Sequence, residues 1–205
     1  MTREPQTCPD TDLPLEAGRP RVQRLVDTLR PVHLEAEIPI RADWHLALDG
    51  LVARTVELSL PALAALGVRE RAIDFHCVWG WSRPRCRWAG VSGADLLELC
   101  RPLPDAAYAV CTAAGSPYAS CVTLDDFAAG IVAWELDGAA LPPANGGPLR
   151  WIQPAHLWGY KGVKWLATVT FVDALQPGFW ERLVGDVEGR VPDAVLGLFD
   201  QDADG

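Results

Sequence analysis

Lysine is nearly missing from this chain. Of its 18 lysine and arginine side chains only two, Lys161 and Lys164, are lysines. Basic charge is scarce as a whole: against 27 acidic residues the formal net charge is -9, with a pI of about 4.8. A chain of that sign lacks the basic face that a nucleic-acid backbone demands, so nucleic acid is excluded as a partner. Long apolar runs are also missing. None reaches the roughly 18 residues that a membrane-crossing helix needs, so no membrane span is expected. The six cysteines (Cys8, Cys77, Cys86, Cys100, Cys111 and Cys121) include no Cys-x-x-Cys pair and no paired His/Cys spacing, which excludes a finger-type zinc site. The opening Met1-Thr2-Arg3-Glu4-Pro5-Gln6-Thr7-Cys8-Pro9 has no basic stretch leading into an apolar one. No secretory leader is expected from it, and a cytoplasmic location with mostly free thiols is the corresponding expectation.

What is present is ordinary globular composition. Hydrophobic residues make up 49% and charged residues 22% of 205, which excludes wholesale disorder and suffices for one core. Residues 1–20 read as a polar lead. Residues 21–30 read as a short helix, because Val22, Leu25, Val26 and Leu29 recur at helical spacing before Pro31. Trp44 to Gly50 alternates and ends in Asp-Gly, a strand entering a turn. Further strands are predicted at 56–60, 72–78, 108–112, 131–136, 149–153 and 165–171. The last puts Trp165, Ala167, Val169 and Phe171 on one face, with Thr168 and Thr170 on the other. Short helices are predicted from Pro61 to Leu66, from the cap-like Ser92 to Cys100, and over 124–129. Residues 141–148 are a loop. The sum is an α+β, mostly β domain over 31–172, followed by a tail over 173–205 with a short helix around Pro192 to Phe199.

Two segments carry candidate chemistry. Gly159-Tyr160-Lys161-Gly162-Val163-Lys164-Trp165 holds both lysines, on either side of a glycine. Ammonium groups suit a phosphate, and glycine lets backbone N–H groups approach an anion closely. Two lysines in a surface turn are equally plain solvated charge. The other segment, Ile73-Asp74-Phe75-His76-Cys77-Val78-Trp79-Gly80-Trp81-Ser82, reads as a strand that delivers Cys77 to Gly80. Beyond it Ser82-Arg83-Pro84-Arg85-Cys86-Arg87 reads as a polar loop whose arginines lower the thiol's pKa or gather an anion. On these grounds Cys77 is an inert core thiol, a nucleophile or a soft-metal ligand. His76 points the other way along a strand, which speaks against a Cys–His dyad.

Four segments follow one another: Trp44 to Gly50; Phe75 to Val78 with Trp81-Ser82 and Trp88 to Val91; Leu141 to Arg150; and Gly159 to Lys164. In this order they resemble the molybdopterin-binding oxidoreductase domain of the sulfite oxidase superfamily, most of all the catalytic subunits of bacterial protein-methionine-sulfoxide reductases. The resemblance implies a mixed-sheet sulfite-oxidase-type fold and a molybdenum–molybdopterin cofactor. It implies two-electron oxygen-atom transfer on a small, sulfur-containing substrate, with electrons exchanged with a separate carrier. Cys77 is then the molybdenum ligand. Asn145 and Arg150 contact the pterin and its phosphate, Lys161, Gly162, Val163 and Lys164 form the phosphate turn, and Thr112 supplies a further contact. The chain departs from the pattern at Trp79, where the relative compared is acidic, and by one extra residue within Ala155-His156-Leu157-Trp158.

The alternatives are a catalytically idle cofactor-binding protein, a subunit of a larger electron-transfer complex, or a metal-free cysteine-nucleophile enzyme. Trp79, Trp81 and Trp158 are pocket wall or plain core. His156 is a cofactor donor or a loop histidine. Asp200 to Gly205 imitates the opening of a calcium loop but has no distal glutamate, so calcium is rejected. The first reading requires Cys77 and the lysine turn to meet in space.

Overall fold

The computed structural model describes residues 24–29, 41, 43–184 and 186–197. Among these residues eleven short strands form two sheets. The first contains β1 (Arg24–Leu25), β4 (Arg69–Cys77), β5 (Trp81–Ser92), β8 (Ile131–Leu136), β9 (Ala139–Ala140) and β10 (Arg150–Ile152). Its order is β1-β5-β8-β10, with β4 beside β5 and β9 beside β8. The second runs β3 (Val56–Ser59), β2 (His45–Gly50), β11 (Leu166–Val172), β6 (Tyr108–Ala113) and β7 (Ala119–Thr123). It is mixed, because β11 lies parallel to β2 and antiparallel to β6. The expected α+β, mostly β architecture with mixed sheets is what forms.

Local chemistry explains most elements. Leu46 and Leu48 are fully buried on one face of β2, and Gly50 ends the strand at φ +84°. Helix α1 (Leu60–Ala65) starts at Ser59, whose hydroxyl accepts the Ala62 N–H, with Pro61 in the first turn. Ser92 and Thr123 cap α2 (Gly93–Cys100) and α3 (Leu124–Ala129) in the same way. In the first sheet the two faces separate cleanly. Val132 and Trp151 join the main core against the second sheet, α2 and α3, while Ile131, Ala133 and Ile152 join Phe75, Cys77, Trp81 and Trp88 on the other face.

Four expectations are corrected. Residues 24–29 carry no helix: Arg24 and Leu25 pair in parallel with Trp81 and Ser82, so a sheet edge overrides the local periodicity. Residues 21–23 and 30 lie outside the described residues, as do the lead over 1–20 and residues 198–205. Residues 82–87 are not a loop but the middle of β5. There Cys86 is buried between the exposed Arg85 and Arg87, and Arg85 at φ 49° sits opposite an irregularity between Ile73 and Phe75. The alternation of β11 is broken by a register shift between Leu166 and Thr168, which buries Leu166, Val169 and Phe171 and leaves Ala167 only partly covered. The described segment after residue 172 is packed structure rather than a loose tail: the short helix expected around Pro192 forms as α5 (Asp193–Leu196), α4 (Phe179–Val184) precedes it, and Trp158, Tyr160, Val191 and Val195 form a small core with it.

Phe127 anchors the main core, stacked on Trp151 at 6.0 Å and edge-on to Phe171 at 5.8 Å. Phe127→Ala should lower the unfolding free energy by about 3–5 kcal/mol in urea titrations, through lost burial and a residual cavity.

Candidate functional site

Cys77 ends β4 because the chain reverses at Gly80, whose φ of +83° suits glycine. The Gly80 N–H donates to the Cys77 carbonyl at 3.1 Å, which holds the cysteine at the closed end of the β4–β5 hairpin, opposite Trp81. Trp81 stacks on Phe75 with centroids 5.6 Å apart. His76 bonds Ser82 across the hairpin (Nδ1···Oγ 2.9 Å), and burial pulls its pKa down against Asp74. Cys77, Cys86, Cys100, Cys111 and Cys121 are all buried and lie outside any disulfide. Burial pushes Cys86 and Cys100 up to about 11, so both stay protonated at neutral pH.

Arg150 opens β10 behind the loop over 141–148. Its guanidinium is buried 5.0 Å from the Phe75 ring centroid and 5.9 Å from that of Trp88. One terminal nitrogen donates to the Asn145 carbonyl at 3.1 Å, Nε has no hydrogen-bond partner, and none of the described ion pairs includes this arginine. Burial pulls its pKa down to about 10, opposed by Tyr118, Cys86 and Cys77, so it remains a cation at neutral pH. A buried cation held only by a carbonyl and two aromatic faces is unfavourable unless an anion joins it. The planar fork suits phosphate.

The lysine turn lies against the cysteine strand. A Cβ on Gly159 would come within 2.4 Å of the Phe75 ring and 3.0 Å of the His76 carbonyl oxygen. The two segments on which the sequence reading rested are thus brought together. Their internal chemistry differs from expectation. Lys161 is fully buried, and its ammonium donates to the Cys121 carbonyl (2.6 Å), Glu181 Oε1 (2.8 Å) and the Val187 carbonyl (2.9 Å). All three protons are occupied, so Lys161 ties the C-terminal segment to β7 and is not a phosphate donor. Two backbone donors are occupied as well: Gly162 N–H bonds the Gly159 carbonyl (3.2 Å) and Val163 N–H bonds the Trp151 carbonyl (3.0 Å). Gly162 supplies room instead, since a Cβ there would lie 2.3 Å from Gln153 Oε1.

Lys164 stands beside the loop that carries Asn145. Its ammonium donates to the Ala144 carbonyl at 3.2 Å and lies 5.7 Å from the Trp165 ring centroid. Gly146 is packed against it so closely that a Cβ would meet the Lys164 side chain at 2.7 Å. Thr112 is half-buried on β6, opposite Ala119 and Thr168. The turn beyond it is tied to the lysine segment, because Ala114 N–H donates to the Trp165 carbonyl at 2.8 Å. The other candidates fall elsewhere. Arg83 pairs with Asp137 at 2.5 Å, Arg85 and Arg87 face solvent, and His156 pairs with Asp126 at 2.7 Å. Trp158 joins the C-terminal core. Sequence reasoning passed over Tyr118, which feels the charges of both Arg150 and Cys77. Its signal was weak: one aromatic with a polar tip, at the start of a strand that was itself not recognised.

Residues 33–180 match the family described as oxidoreductase molybdopterin binding domain. The chain belongs to that family. It is 35% identical over 172 residues to the oxidoreductase YuiH of Bacillus subtilis strain 168, covering 82% of this chain and 86% of YuiH. It is 30% identical over 165 residues to the protein-methionine-sulfoxide reductase catalytic subunit MsrP of Gluconobacter oxydans strain 621H, covering 71% of this chain and 52% of MsrP. Among solved structures it is similar to the sulfane dehydrogenase SoxCD of Paracoccus pantotrophus, with a TM-score of 0.62 at 17% identity over 67% of this chain and 40% of that one. The chain therefore spans about half of MsrP and less than half of the SoxCD chain. Membership makes this protein a molybdenum–molybdopterin oxidoreductase with the sulfite-oxidase-type fold. Among the described residues no helix is long and apolar enough to cross a membrane, and no cluster of three His, Cys, Asp or Glu side chains could hold a metal ion. The site fits the cofactor: a thiol at a hairpin end lies within electrostatic range of a buried guanidinium that none of the described ion pairs includes.

The buried pair yields a stability test. Lys161→Met or Glu181→Ala alone should lower the unfolding free energy by about 3–5 kcal/mol, because each leaves a buried charge uncompensated. Lys161→Met combined with Glu181→Leu should recover most of that loss, measured by urea unfolding. Single variants as stable as wild type would contradict the pairing.

Proposed function

We propose that this chain catalyses two-electron oxygen-atom transfer on a small, sulfur-containing substrate, with molybdenum bound by the Cys77 thiolate. In the oxidising direction the balance is substrate plus water giving the oxygenated product, two protons and two electrons. The reverse direction consumes the same electrons and protons. A separate electron carrier accepts or supplies the electrons, since two must leave or enter for each turnover. The observation that supports this reading best is Arg150: a buried cation, without a carboxylate partner among the described residues, within electrostatic reach of Cys77. The two sulfur-named relatives, MsrP and SoxCD, favour a sulfur compound as substrate.

When bound, the cofactor supplies the two-electron redox chemistry; the chain supplies binding and orientation. Cys77 would donate a soft thiolate to the metal. Arg150 would neutralise the pterin's phosphate, held in place by the Asn145 carbonyl. Lys164 would add a second positive charge from the other side of the 141–148 loop. Thr112 would contribute from β6. Lys161, Gly162 and Val163 would act by shaping the turn, not by donating to the phosphate. Phe75 and Trp81 would exclude water from the thiol end. The buried free thiols suit a reducing compartment such as the cytoplasm.

The test is expression in a molybdenum-competent host, followed by metal analysis and a dye-coupled assay against sulfoxides and sulfite. Cys77→Ser should abolish turnover and alter the metal's absorption spectrum; wild-type turnover in that variant would refute the ligand assignment. Arg150→Ala and Lys164→Ala should each lower molybdenum occupancy about tenfold or more while leaving folded protein, by loss of charge-assisted bonds worth about 1.5–3 kcal/mol. Full occupancy in both would remove them from the site.

A further inference from the structure

Tyr118 joins three parts of the molecule that the sequence keeps apart. Its ring, one residue before β7, packs against the main core. Its hydroxyl donates to the Tyr160 carbonyl at 2.6 Å and lies 3.4 Å from the Gly162 carbonyl oxygen. Those two carbonyls flank Lys161, so one hydroxyl grips the centre of the lysine turn. The same hydroxyl is within electrostatic range of Arg150 and Cys77. Burial and then Glu181 raise its pKa, so it stays a neutral donor throughout the physiological range. The turn has no comparable hold on that side from its own lysine, whose ammonium reaches Cys121, Glu181 and Val187.

We infer that Tyr118 is a positioning residue for the cofactor, holding the Gly162–Lys164 turn at a set distance from Cys77 and Arg150. This rests on the proposed reading of the site. A pterin that binds a metal at one end and a phosphate at the other needs its two anchors at a constant separation. A hydroxyl bonded to the turn, on a ring packed against the main core, provides that constraint. Tyr118 touches neither the metal nor the reacting atoms in this account; it acts through the turn.

The test uses the loaded protein. Tyr118→Phe removes the hydroxyl and keeps the ring, so the core is untouched. Wild type and variant would be loaded in a molybdenum-competent host, and release of the pterin followed over time as its fluorescent oxidised derivative. The thermal midpoint of each metal-free protein would be measured in parallel. The inference expects release about tenfold faster in Tyr118→Phe, with metal-free midpoints within a few degrees of one another, since one buried hydrogen bond is worth about 1 kcal/mol. Equal release rates overturn it. Faster release accompanied by a large drop in the metal-free midpoint also overturns it, because the hydroxyl would then serve the fold alone. A wild-type chain that takes up neither molybdenum nor pterin overturns the reading of the site, and this inference with it.

Discussion

A guanidinium buried without a carboxylate partner among the described residues is the constraint around which the proposed site is arranged. Arg150 could not be held there by the protein's own charges, because none of the described ion pairs includes it. It is kept in place by an aromatic face from β4, another from β5 and the carbonyl of Asn145. The hairpin that presents Cys77 therefore also supplies part of the wall around Arg150. Thiol and cation are coupled through Phe75: the ring lies under the guanidinium and two residues before the sulfur. Moving either would disturb the other.

The two lysines, alike in sequence, do opposite work. Lys164 stays at the loop, where its ammonium donates to the Ala144 carbonyl. Lys161 turns inward and is neutralised by Glu181, the first residue beyond the matched family segment. A segment that reads as a tail thereby becomes part of the support for the turn. Its backbone adds to this: Trp158 N–H bonds the Gly189 carbonyl, Val191 N–H bonds the His156 carbonyl, and the Tyr160 hydroxyl bonds the Asp186 carbonyl. An acidic protein can in this way maintain one local positive site without a basic surface.

The legible parts of the fold were those with strong local signals. Alternation announced β2, Asp-Gly its end, and Ser92, Pro61 and the 124–129 segment their helices. The illegible parts were those where a distant partner decides. Arg24 and Leu25 become strand because an edge of β5 is there to pair with. The arginine-rich stretch is strand because Asp137 pairs with Arg83, Asp74 accepts the Arg85 N–H, and Cys86 faces a core. The register shift in β11 has no sequence mark at all. For the proposed site, segment order made Cys77, Asn145, Arg150 and Lys164 candidates, whereas Tyr118 and Glu181 carry no local signal, because what matters about them is what they reach.

By itself, the sequence determined the class of the fold, the family and the identity of the charged and thiol groups. Periodicity, turn chemistry and segment order are local properties and survive in a one-dimensional reading. Only the tertiary structure decided which of those groups are available. Whether an ammonium faces an anion or a carboxylate, or a backbone N–H faces a ligand or a carbonyl, depends on neighbours tens of residues away. Burial makes that choice binding, since a charge or donor taken out of water must find a partner where the fold has put one.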